Sequence, residues 1–445
     1  MILPKDMVSF PVIKNETVNA ILQDILHPHH GILRTETSIG EVILSMRVVG
    51  IIAEYNPLHN GHIYHIEKAR SSSQADYCIV VLSGNFVQRG EPACTDKYTR
   101  TNWALQAGAD LVLELPSLYA NASAERFAMG GVCTLAGTGL ITHLAFGCED
   151  SDLDTLYRLT DIISSEPAGY REALRRHLGA GKSYPRARAD ALHDFGVPEE
   201  MILALAKPNN ILAVEYLHAI QRVAPSIQPV AVTRIGGGYA SETLTGDFSS
   251  ATAIRNALKS GNSSVLSALP SFVGGAMVYD DQFPITLEHF SSMILYALRN
   301  MSLEDLAALP DVSEGIENIL YRAVPAAENL NSLLENVKSK RYTMARLKRI
   351  CINALLGITA EQVQTMVSSK IASYLHVLGF RNRAKPLLSA LGKSASLPLI
   401  LRNSDAMSCP AYIRASLETD ALSTDLMTFA SGTRMHRDTE GPLTV

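Results

Sequence analysis

Short apolar runs alternate with amphipathic stretches over the first half of the chain. The runs are rich in β-branched and aliphatic residues, the composition of strands buried on both faces. They lie at residues 48–53, 75–82, 109–116, 144–147 and 228–234. The stretches between them, such as residues 97–107 and 125–135, carry apolar residues at helical spacing. This alternation predicts an α/β fold with a Rossmann-like, parallel, doubly wound sheet.

Beyond the first half the pattern becomes mostly helical. Residues 259–264 (Lys-Ser-Gly-Asn-Ser-Ser) have the composition of a linker. We therefore predict an α/β domain at residues 46–258 and a mostly α-helical domain at residues 265–445. Residues 1–45 carry no clear motif, and Met46 looks like a natural start of the first domain. We expect translation to begin there, with the preceding segment extraneous or weakly ordered.

A motif suited to a phosphate chain follows the first strand directly. Tyr-Asn-Pro at residues 55–57 ends the strand, because proline fixes φ and keeps its predecessor out of the helix. His59 and His62 then lie at a helix N-terminus, where free N–H groups favour an anion. They could donate hydrogen bonds and, when protonated, add charge as pyrophosphate leaves. Gly61 allows the backbone close to a ligand. The alternative is a pair of helix-cap histidines without a ligand.

A second helix N-terminus of the same kind lies at residues 248–255. Ser250 and Thr252 open a helix, and Arg255 follows one turn later. Two such helix N-termini in one domain indicate a nucleotide site. Three polar residues after the second strand lie at the carboxyl edge, where open α/β sheets bind ligands. These further pocket candidates are Asn85, Gln88 and Arg89.

The charge distribution adds one local feature. The net charge is -5, so any nucleic-acid surface must be a local patch. Residues 338–349 hold six basic residues and no acid, and Met344, Leu347 and Cys351 keep an apolar seam at helical spacing. This indicates a docked helix with a basic outer face that contacts a phosphate backbone, or merely a solvated basic face. A second cluster of basic residues lies at residues 380–385. The candidates for contact with a phosphate backbone are Lys338, Lys340, Arg341, Arg346, Lys348, Arg349, Arg381 and Arg383.

Composition excludes several other classes. Six cysteines are scattered without a C-x-x-C pair, which fits neither a disulfide framework nor a structural zinc site. We assign no metal ligands, and we interpret the histidines at residues 27–30 as a solvated loop. The most apolar stretch is interrupted by Arg47 and is too short to span a bilayer. We predict a cytoplasmic protein without a membrane partner.

His-x-Gly-His after a buried strand is the signature of the nucleotidyltransferase superfamily, and the chain resembles the bacterial tRNA(Met) cytidine acetate ligases. The resemblance runs from Met46 almost to the end. It is carried by residues 50–62, 83–93, 108–116, 146–147, 208–212, 250–255 and 340–343. Tyr98 stands where that family is expected to have tryptophan, and Cys148 where serine is common.

The resemblance implies ATP-dependent acetylation of the wobble cytidine of elongator tRNA(Met) to N4-acetylcytidine, through acetyl-adenylate. It implies ATP as a substrate, Mg²⁺ with it, and tRNA(Met) and acetate as partners. His59 and His62 would be catalytic, and the basic helix would carry the anticodon arm. Residues 52–56 would line the adenosine side, and Asn209 is the near alternative to Asn210. The implied ATP-binding residues are Ile52, Ala53, Glu54, Tyr55, Asn56, Pro57, Leu58, His59, Asn60, Gly61, His62, Ile63, Tyr64, His65, Gly147, Asn209, Asn210, Arg234, Ser250, Thr252 and Arg255.

Two other functions remain open at this point. A small-molecule adenylyltransferase of the phosphopantetheine or nicotinate type would use the helical region only for oligomerisation. It would release pyrophosphate with a phosphorylated or nucleotide substrate and would not need tRNA. A non-catalytic RNA-binding protein that kept the fold would bind ATP or tRNA without turnover.

Overall fold

The computed structural model describes residues 46–149, 152–235, 243–278, 283–368, 374–432 and 438–445. The predictions made for residues 1–45 lie outside the described residues. The strands are β1 (Val48–Ala53), β2 (Tyr77–Ser83), β3 (Phe86–Val87), β4 (Glu91–Pro92), β5 (Leu111–Leu115), β6 (His143–Cys148), β7 (Gln228–Thr233), β8 (Leu375–Phe380), β9 (Leu399–Ile400) and β10 (Leu443–Thr444).

Helices fill most of the chain between and after these strands. Those of the first part are α1 (Asn60–Ser73), α2 (Lys97–Gln106), α3 (Ser117–Ala120), α4 (Ala124–Gly137), α5 (Leu153–Ser165), α6 (Ala168–Gly179), α7 (Tyr184–Asp194), α8 (Glu199–Ala204), α9 (Pro208–Val223) and α10 (Ala251–Lys259). Those of the second part are α11 (Ser271–Val278), α12 (Ser291–Arg299), α13 (Leu303–Ala307), α14 (Ile316–Ala323), α15 (Leu330–Val337), α16 (Met344–Leu356), α17 (Ala360–Ser368), α18 (Lys385–Ser394) and α19 (Ala411–Ser431).

The predicted strands form the centre of one sheet. Its order is β10-β8-β5-β2-β1-β6-β7, with β9 paired to β8, and the five strands from β5 to β7 are parallel to their neighbours. β2 shows why its apolar run is continuous. Ile79 and Val81 belong to the core on one face of the sheet, and Val80 and Leu82 to the core on the other. The predicted α/β class is confirmed.

The second half of the chain completes the sheet. It is mostly helical, as predicted, but β8 pairs with β5 in the antiparallel direction and β10 lies beside β8. The sheet is therefore mixed at this edge rather than parallel throughout. Nothing in the local pattern of a fully buried six-residue run shows which strand it will join.

A buried ion cluster fastens this edge to the first half. The Lys97 ammonium lies 2.8 Å from Glu114 Oε1 and 2.6 Å from Asp438 Oδ1. His376 Nδ1 lies 2.7 Å from Glu114 Oε2. Burial alone would lower the pKa of Lys97, but the carboxylates of Asp438 and Glu114 raise it well above its ordinary value. Although three of these side chains could hold a metal ion, the Lys97 ammonium already pairs with both carboxylates.

Among the described helices, none alone is long and apolar enough to cross a membrane. Only α16 and α17 taken together reach the necessary length and composition, and they are bent by 91° to each other.

Candidate nucleotide-binding site

The winding of the parallel strands reverses at β1. This strand has β2 on one side and β6 on the other, which makes its carboxyl end the switch point where open α/β sheets form a ligand crevice. The chain leaves β1 through residues 54–59 and enters α1, while β6 ends at Gly147 and Cys148. The segment that the sequence singled out after β1 and the predicted Gly147 thus border one crevice.

The two motif histidines are held in one orientation by the backbone of α1. Nδ1 of His59, the N-cap residue, accepts a hydrogen bond from the Gly61 N–H at 3.1 Å. Nδ1 of His62 accepts one from the His59 N–H at 3.2 Å. The two rings stack with their centroids 3.8 Å apart. Because each Nδ1 is an acceptor, the hydrogen of each neutral ring belongs on Nε2, which is left to donate to a ligand.

Gly61 is needed for this arrangement. A Cβ at this position would lie 2.9 Å from Cε1 of His59. A side chain would therefore push against the imidazole that caps the helix. The glycine makes room for His59 as well as for a ligand.

Both motif histidines are neutral at pH 7. Burial lowers the pKa of His59 to about 3, with Arg234 and Arg255 acting in the same direction. Burial also lowers the pKa of His62 well below 6.5, and His59 adds to that shift. In the pocket without a ligand the two imidazoles are therefore uncharged at neutral pH, and their protonation as pyrophosphate leaves stays a prediction. They can act as neutral donors, while Arg89, Arg234 and Arg255 bring positive charge to the pocket.

The N-terminal part of α10 is hydrogen-bonded to the loop that leads into α1. Ser250 caps α10, and its Oγ accepts a hydrogen bond from the Ala253 N–H at 3.0 Å. Nη1 of Arg255 donates to the carbonyl oxygen of Asn56 at 2.7 Å. The arginine thus links the start of α10 to the loop that leads into α1. The two predicted helix N-termini therefore share one site.

These elements enclose a pocket of about 440 Å³, a size typical of small-molecule sites. Gln88 and Arg89 line it, whereas Asn85 is fully buried and donates to Ser423 and Thr424 instead. Sixteen of the predicted ATP-binding residues line the pocket: Ile52, Ala53, Glu54, Tyr55, Asn56, His59, Gly61, His62, Tyr64, His65, Gly147, Asn209, Arg234, Ser250, Thr252 and Arg255.

Five residues predicted to bind ATP lie outside this lining: Pro57, Leu58, Asn60, Ile63 and Asn210. Leu58 is fully buried in the core, and Ile63 packs against the same core. Asn60 donates to the carbonyl oxygens of Asp247 and Ser267 at 3.1 and 2.9 Å. Asn60 and Ile63 lie on the faces of α1 that turn away from the crevice.

The two neighbouring asparagines of α9 have different positions. Asn209 lines the pocket, and its Nδ2 donates to Glu149 Oε1 at 2.6 Å. Asn210 is fully buried, where its Oδ1 accepts from the Glu149 N–H at 3.0 Å and its Nδ2 donates to the Ala204 carbonyl at 3.1 Å. The geometry therefore favours Asn209 for contact with a nucleotide and gives Asn210 a structural role.

Alanine substitutions should separate these two roles. Asn209→Ala is expected to raise the KM for ATP about tenfold, the value of one good hydrogen bond, with little change in stability. Asn210→Ala leaves buried partners unsatisfied and should lower the free energy of unfolding by about 1–3 kcal/mol. Steady-state kinetics and urea unfolding of both variants test this. The reverse pattern would assign the nucleotide contact to Asn210.

Some lining residues were not among the predicted site residues. An apolar wall comes from Phe127, Phe146, Leu212 and Tyr216, and Ala345 reaches the pocket from the second half of the chain. Phe146 could have been inferred, because it directly precedes the strand-end glycine. The position of Ala345 depends on how α16 docks, which no local pattern reveals.

The basic segment before and within α16 adjoins the pocket. A Cβ on Gly90, in the turn between β3 and β4, would lie 2.3 Å from the Arg349 backbone nitrogen, so this turn and α16 are in direct backbone contact. Lys348 Nζ lies 2.5 Å from Glu91 Oε1, and Arg349 Nε lies 2.6 Å from Asp311 Oδ2. Two of the basic side chains of α16 are therefore paired with acidic residues from outside the segment.

The other basic residues of this segment are more exposed. Lys338, Lys340 and Arg341 are exposed, and Arg341 Nε lies 3.5 Å from Glu314 Oε2. Arg346 Nη1 lies 3.2 Å from the same carboxylate oxygen. The positive charge that faces solvent is therefore concentrated at residues 338–341, just before α16.

The second cluster of basic residues, at residues 380–385, lies near the amino ends of the parallel strands, opposite the carboxyl ends that border the pocket. Arg383 Nε is 2.5 Å from Oδ1 of Asp110, and the Arg381 N–H donates to the Asp110 carbonyl. Asp110 directly precedes β5, so both arginines lie near the amino end of a strand that runs parallel to β2 and, through it, to β1, whose carboxyl end borders the pocket. Five residues of β5 span about 17 Å. The structure does not bring the two basic patches together.

The fold and the site define a nucleotidyltransferase of the HIGH type. Residues 46–440 match the family model described as HIGH Nucleotidyl Transferase. The fold is similar to the crystal structure of Thermotoga maritima TmcAL (apo, form I), with a TM-score of 0.85 and 32% identity, over 90% of this chain and 100% of that one. The structure of Thermotoga maritima TmcAL bound with alpha-thio ATP (form II) is similar with a TM-score of 0.83, at the same identity and coverage.

Curated relatives narrow this class. The tRNA(Met) cytidine acetate ligase of Acetivibrio thermocellus is 38% identical over 395 residues, which cover 86% of this chain and 94% of the relative. The protein of the same name from Caldanaerobacter subterraneus subsp. tengcongensis is 40% identical over 389 residues, covering 86% and 96%. The chain belongs to the tRNA(Met) cytidine acetate ligase family.

Proposed function

We propose that this protein activates acetate with ATP and transfers the acetyl group to N4 of the wobble cytidine of elongator tRNA(Met). The observation that carries the proposal is the pair of Nε2 donors on His59 and His62. They lie with Arg234 and Arg255 around one pocket at the switch point. The names of the relatives support the choice of acetate and tRNA(Met) as substrates.

The site is suited to forming an acyl-adenylate. An acetate oxygen would attack the α-phosphorus of ATP, the bond to the bridging oxygen would break, and pyrophosphate would leave. Acetate needs this activation because oxide is a very poor leaving group, whereas AMP is a good one. Nε2–H donors fixed by the backbone can stabilise the charge that develops on the phosphates without reorganising.

Mg²⁺ is the ion expected to accompany ATP, whose phosphate charge it would partly neutralise. The carboxylates that line the pocket are those of Glu54 and Glu91, and Glu91 is ion-paired with Lys348. The described pocket residues therefore offer no cage of carboxylates. An ion that arrived with ATP would take its ligands mainly from phosphate oxygens and water.

Exchange of labelled pyrophosphate into ATP tests the activation step. We expect exchange that requires acetate and does not require tRNA. Exchange that instead requires a phosphorylated or nucleotide substrate would establish the small-molecule adenylyltransferase. Binding of ATP or tRNA without any exchange would favour the non-catalytic protein.

The proposed tRNA contact is carried by the exposed charge at residues 338–341. The predicted residues divide into an exposed group before α16, in which Lys338 and Arg341 make surface ion pairs with Glu335 and Glu314, a less exposed paired group on α16, and a distant group at residues 381–383. The exposed group adjoins α16, whose Ala345 lines the pocket, so it lies on a path from solvent to the reacting atoms. We keep all eight basic residues as candidates and rank this group first. Since the substrate is an anionic nucleic acid, a cytoplasmic location remains our prediction.

Removing the exposed charge should weaken tRNA binding in a salt-dependent way. The variant Lys338→Ala/Lys340→Ala/Arg341→Ala is expected to flatten the slope of log affinity against log salt by about 2–3, about 1 for each lost phosphate contact. Its acetate-dependent exchange should stay unchanged. Arg381→Ala, near the amino ends of the parallel strands, is the comparison variant. A steeper effect of Arg381→Ala would move the tRNA surface to that end of the sheet.

A further inference from the structure

One side chain of the pocket does not suit a triphosphate. Glu54 directly follows β1 and lines the pocket. Its carboxylate would repel the phosphates that the histidines and arginines attract. Its side chain therefore needs a partner of another kind.

The Glu54 carboxylate is held at one oxygen and not at the other. Oε1 accepts a hydrogen bond from the Gln88 N–H at 2.9 Å. No residue of the described ranges donates to Oε2. The carbonyl oxygen of Glu54 accepts from Nη1 of the fully buried Arg100 at 2.8 Å, which fixes the backbone. One acceptor of an oriented carboxylate is thus available to a ligand.

The element that orients Glu54 also contacts the basic helix. Gln88 lies in the β3–β4 turn, and its Nε2 donates to the Ala122 carbonyl at 3.0 Å. Gly90 of the same turn lies directly against the α16 backbone. Glu54 is therefore supported from the side of the pocket next to the proposed tRNA surface, where an acceptor nucleotide would enter.

We propose that Glu54 Oε2 accepts a hydrogen from the N4 amine of the wobble cytidine, both to recognise the base and to act as general base for acetyl transfer. This role rests on the proposed function. Carboxylates pair naturally with the cytosine amine, whereas uridine presents a carbonyl oxygen at the same place. The glutamate would thus favour cytidine over uridine at this step.

The step balances in atoms and electrons. N4 attacks the acetyl carbonyl carbon of acetyl-adenylate, and an N–C bond forms. The bond from that carbon to the phosphate oxygen breaks, and AMP leaves with the electron pair. The proton on N4 goes to Glu54 Oε2 and from there to solvent. The weak nucleophilicity of the amine, whose lone pair is delocalised into the ring, is why a base is useful.

The electrostatic surroundings of Glu54 are compatible with its role as general base. Burial raises the pKa of Glu54 above its ordinary value, while the Gln88 N–H and the arginines of three packed elements oppose that rise. A raised pKa makes a carboxylate a better base near neutral pH. The charged and titratable groups that act on or with Glu54 are Arg255, Arg89, Arg100 and Tyr216.

Glu54→Gln separates this role from the activation step. We expect the ratio of acetyl transfer to acetate-dependent pyrophosphate exchange to fall by about 100-fold or more. In the wild type, the transfer rate should rise with pH through the Glu54 pKa, because the base must be ionised, and this dependence should vanish in Glu54→Gln. Glu54→Asp should recover part of the transfer rate.

Glu215→Gln is the matched control, since Glu215 is a second buried carboxylate with a raised pKa but lies outside the pocket lining. It is expected to change stability without changing the ratio of transfer to exchange. Equal loss of exchange and transfer in Glu54→Gln would place Glu54 in the nucleotide site and overturn the proposal. Full transfer activity would do the same. A wild type that exchanges pyrophosphate but never acetylates tRNA would instead refute the proposed acceptor, and with it this role.

Discussion

Replacing His62 with alanine should lower the rate of acetate-dependent pyrophosphate exchange by about 100- to 1,000-fold, equivalent to about 3–4 kcal/mol of transition-state stabilisation. The reason is the loss of one Nε2–H donor that the backbone of α1 holds in place. His59 would remain, but its ring would lose the stacked partner 3.8 Å away. Pre-steady-state or equilibrium exchange measurements at saturating ATP give the rate directly.

The loss should be catalytic rather than structural. His62→Ala also frees the His59 N–H at the start of α1, which costs about 1 kcal/mol at a helix cap. That is too little to unfold the protein, and urea unfolding would show it. His193→Ala, at an exposed histidine of α7, should leave both quantities unchanged. An exchange rate for His62→Ala within about threefold of the wild type, against the expected loss of a donor, would show that His62 is only a helix cap.

The second large effect concerns stability. Lys97→Met should lower the free energy of unfolding by about 3–5 kcal/mol, because it leaves two buried carboxylates without their cation. Lys97 and Glu114 are fully buried, and Asp438 is 4% exposed. The cluster joins β8 and the C-terminal residues to the first half of the chain, so its loss should also weaken the edge of the sheet.

Urea unfolding measures this effect, and a second substitution identifies its cause. Asp438→Asn in the Lys97→Met background should restore part of the lost stability by removing one uncompensated charge. Lys393→Met, at an exposed lysine of α18, is the control and should stay within about 0.5 kcal/mol of the wild type. A loss below about 1 kcal/mol in Lys97→Met, far less than breaking a buried ion pair costs, would mean that solvent reaches the cluster.

Local patterns predicted the parts of the fold that local physics decides. Residues 48–62 specify a buried strand, a break and a helix N-terminus within one short segment, and the structure contains all three. The helix N-termini at residues 59–62 and 250–255 were also predicted, and both line the pocket. They come together because each follows a strand that ends at the same sheet edge.

Long-range pairing explains what the sequence did not reveal. The run at residues 338–349 holds no acid, but Lys348 and Arg349 find Glu91 and Asp311 far away in the chain. The protonation of the histidines depends on burial, which a motif does not show. Asn209 and Asn210 have identical side chains, and only the rotation of α9 decides which one lines the pocket.

The most direct test of the account is the transfer of isotopically labelled acetate into bulk tRNA, followed by mass analysis of the nucleosides. We expect labelled N4-acetylcytidine that forms only with ATP and is lost in His59→Ala and His62→Ala. Label in another nucleoside would move the acceptor. Tight binding of ATP and tRNA with no label transferred under any condition would contradict the proposed activity.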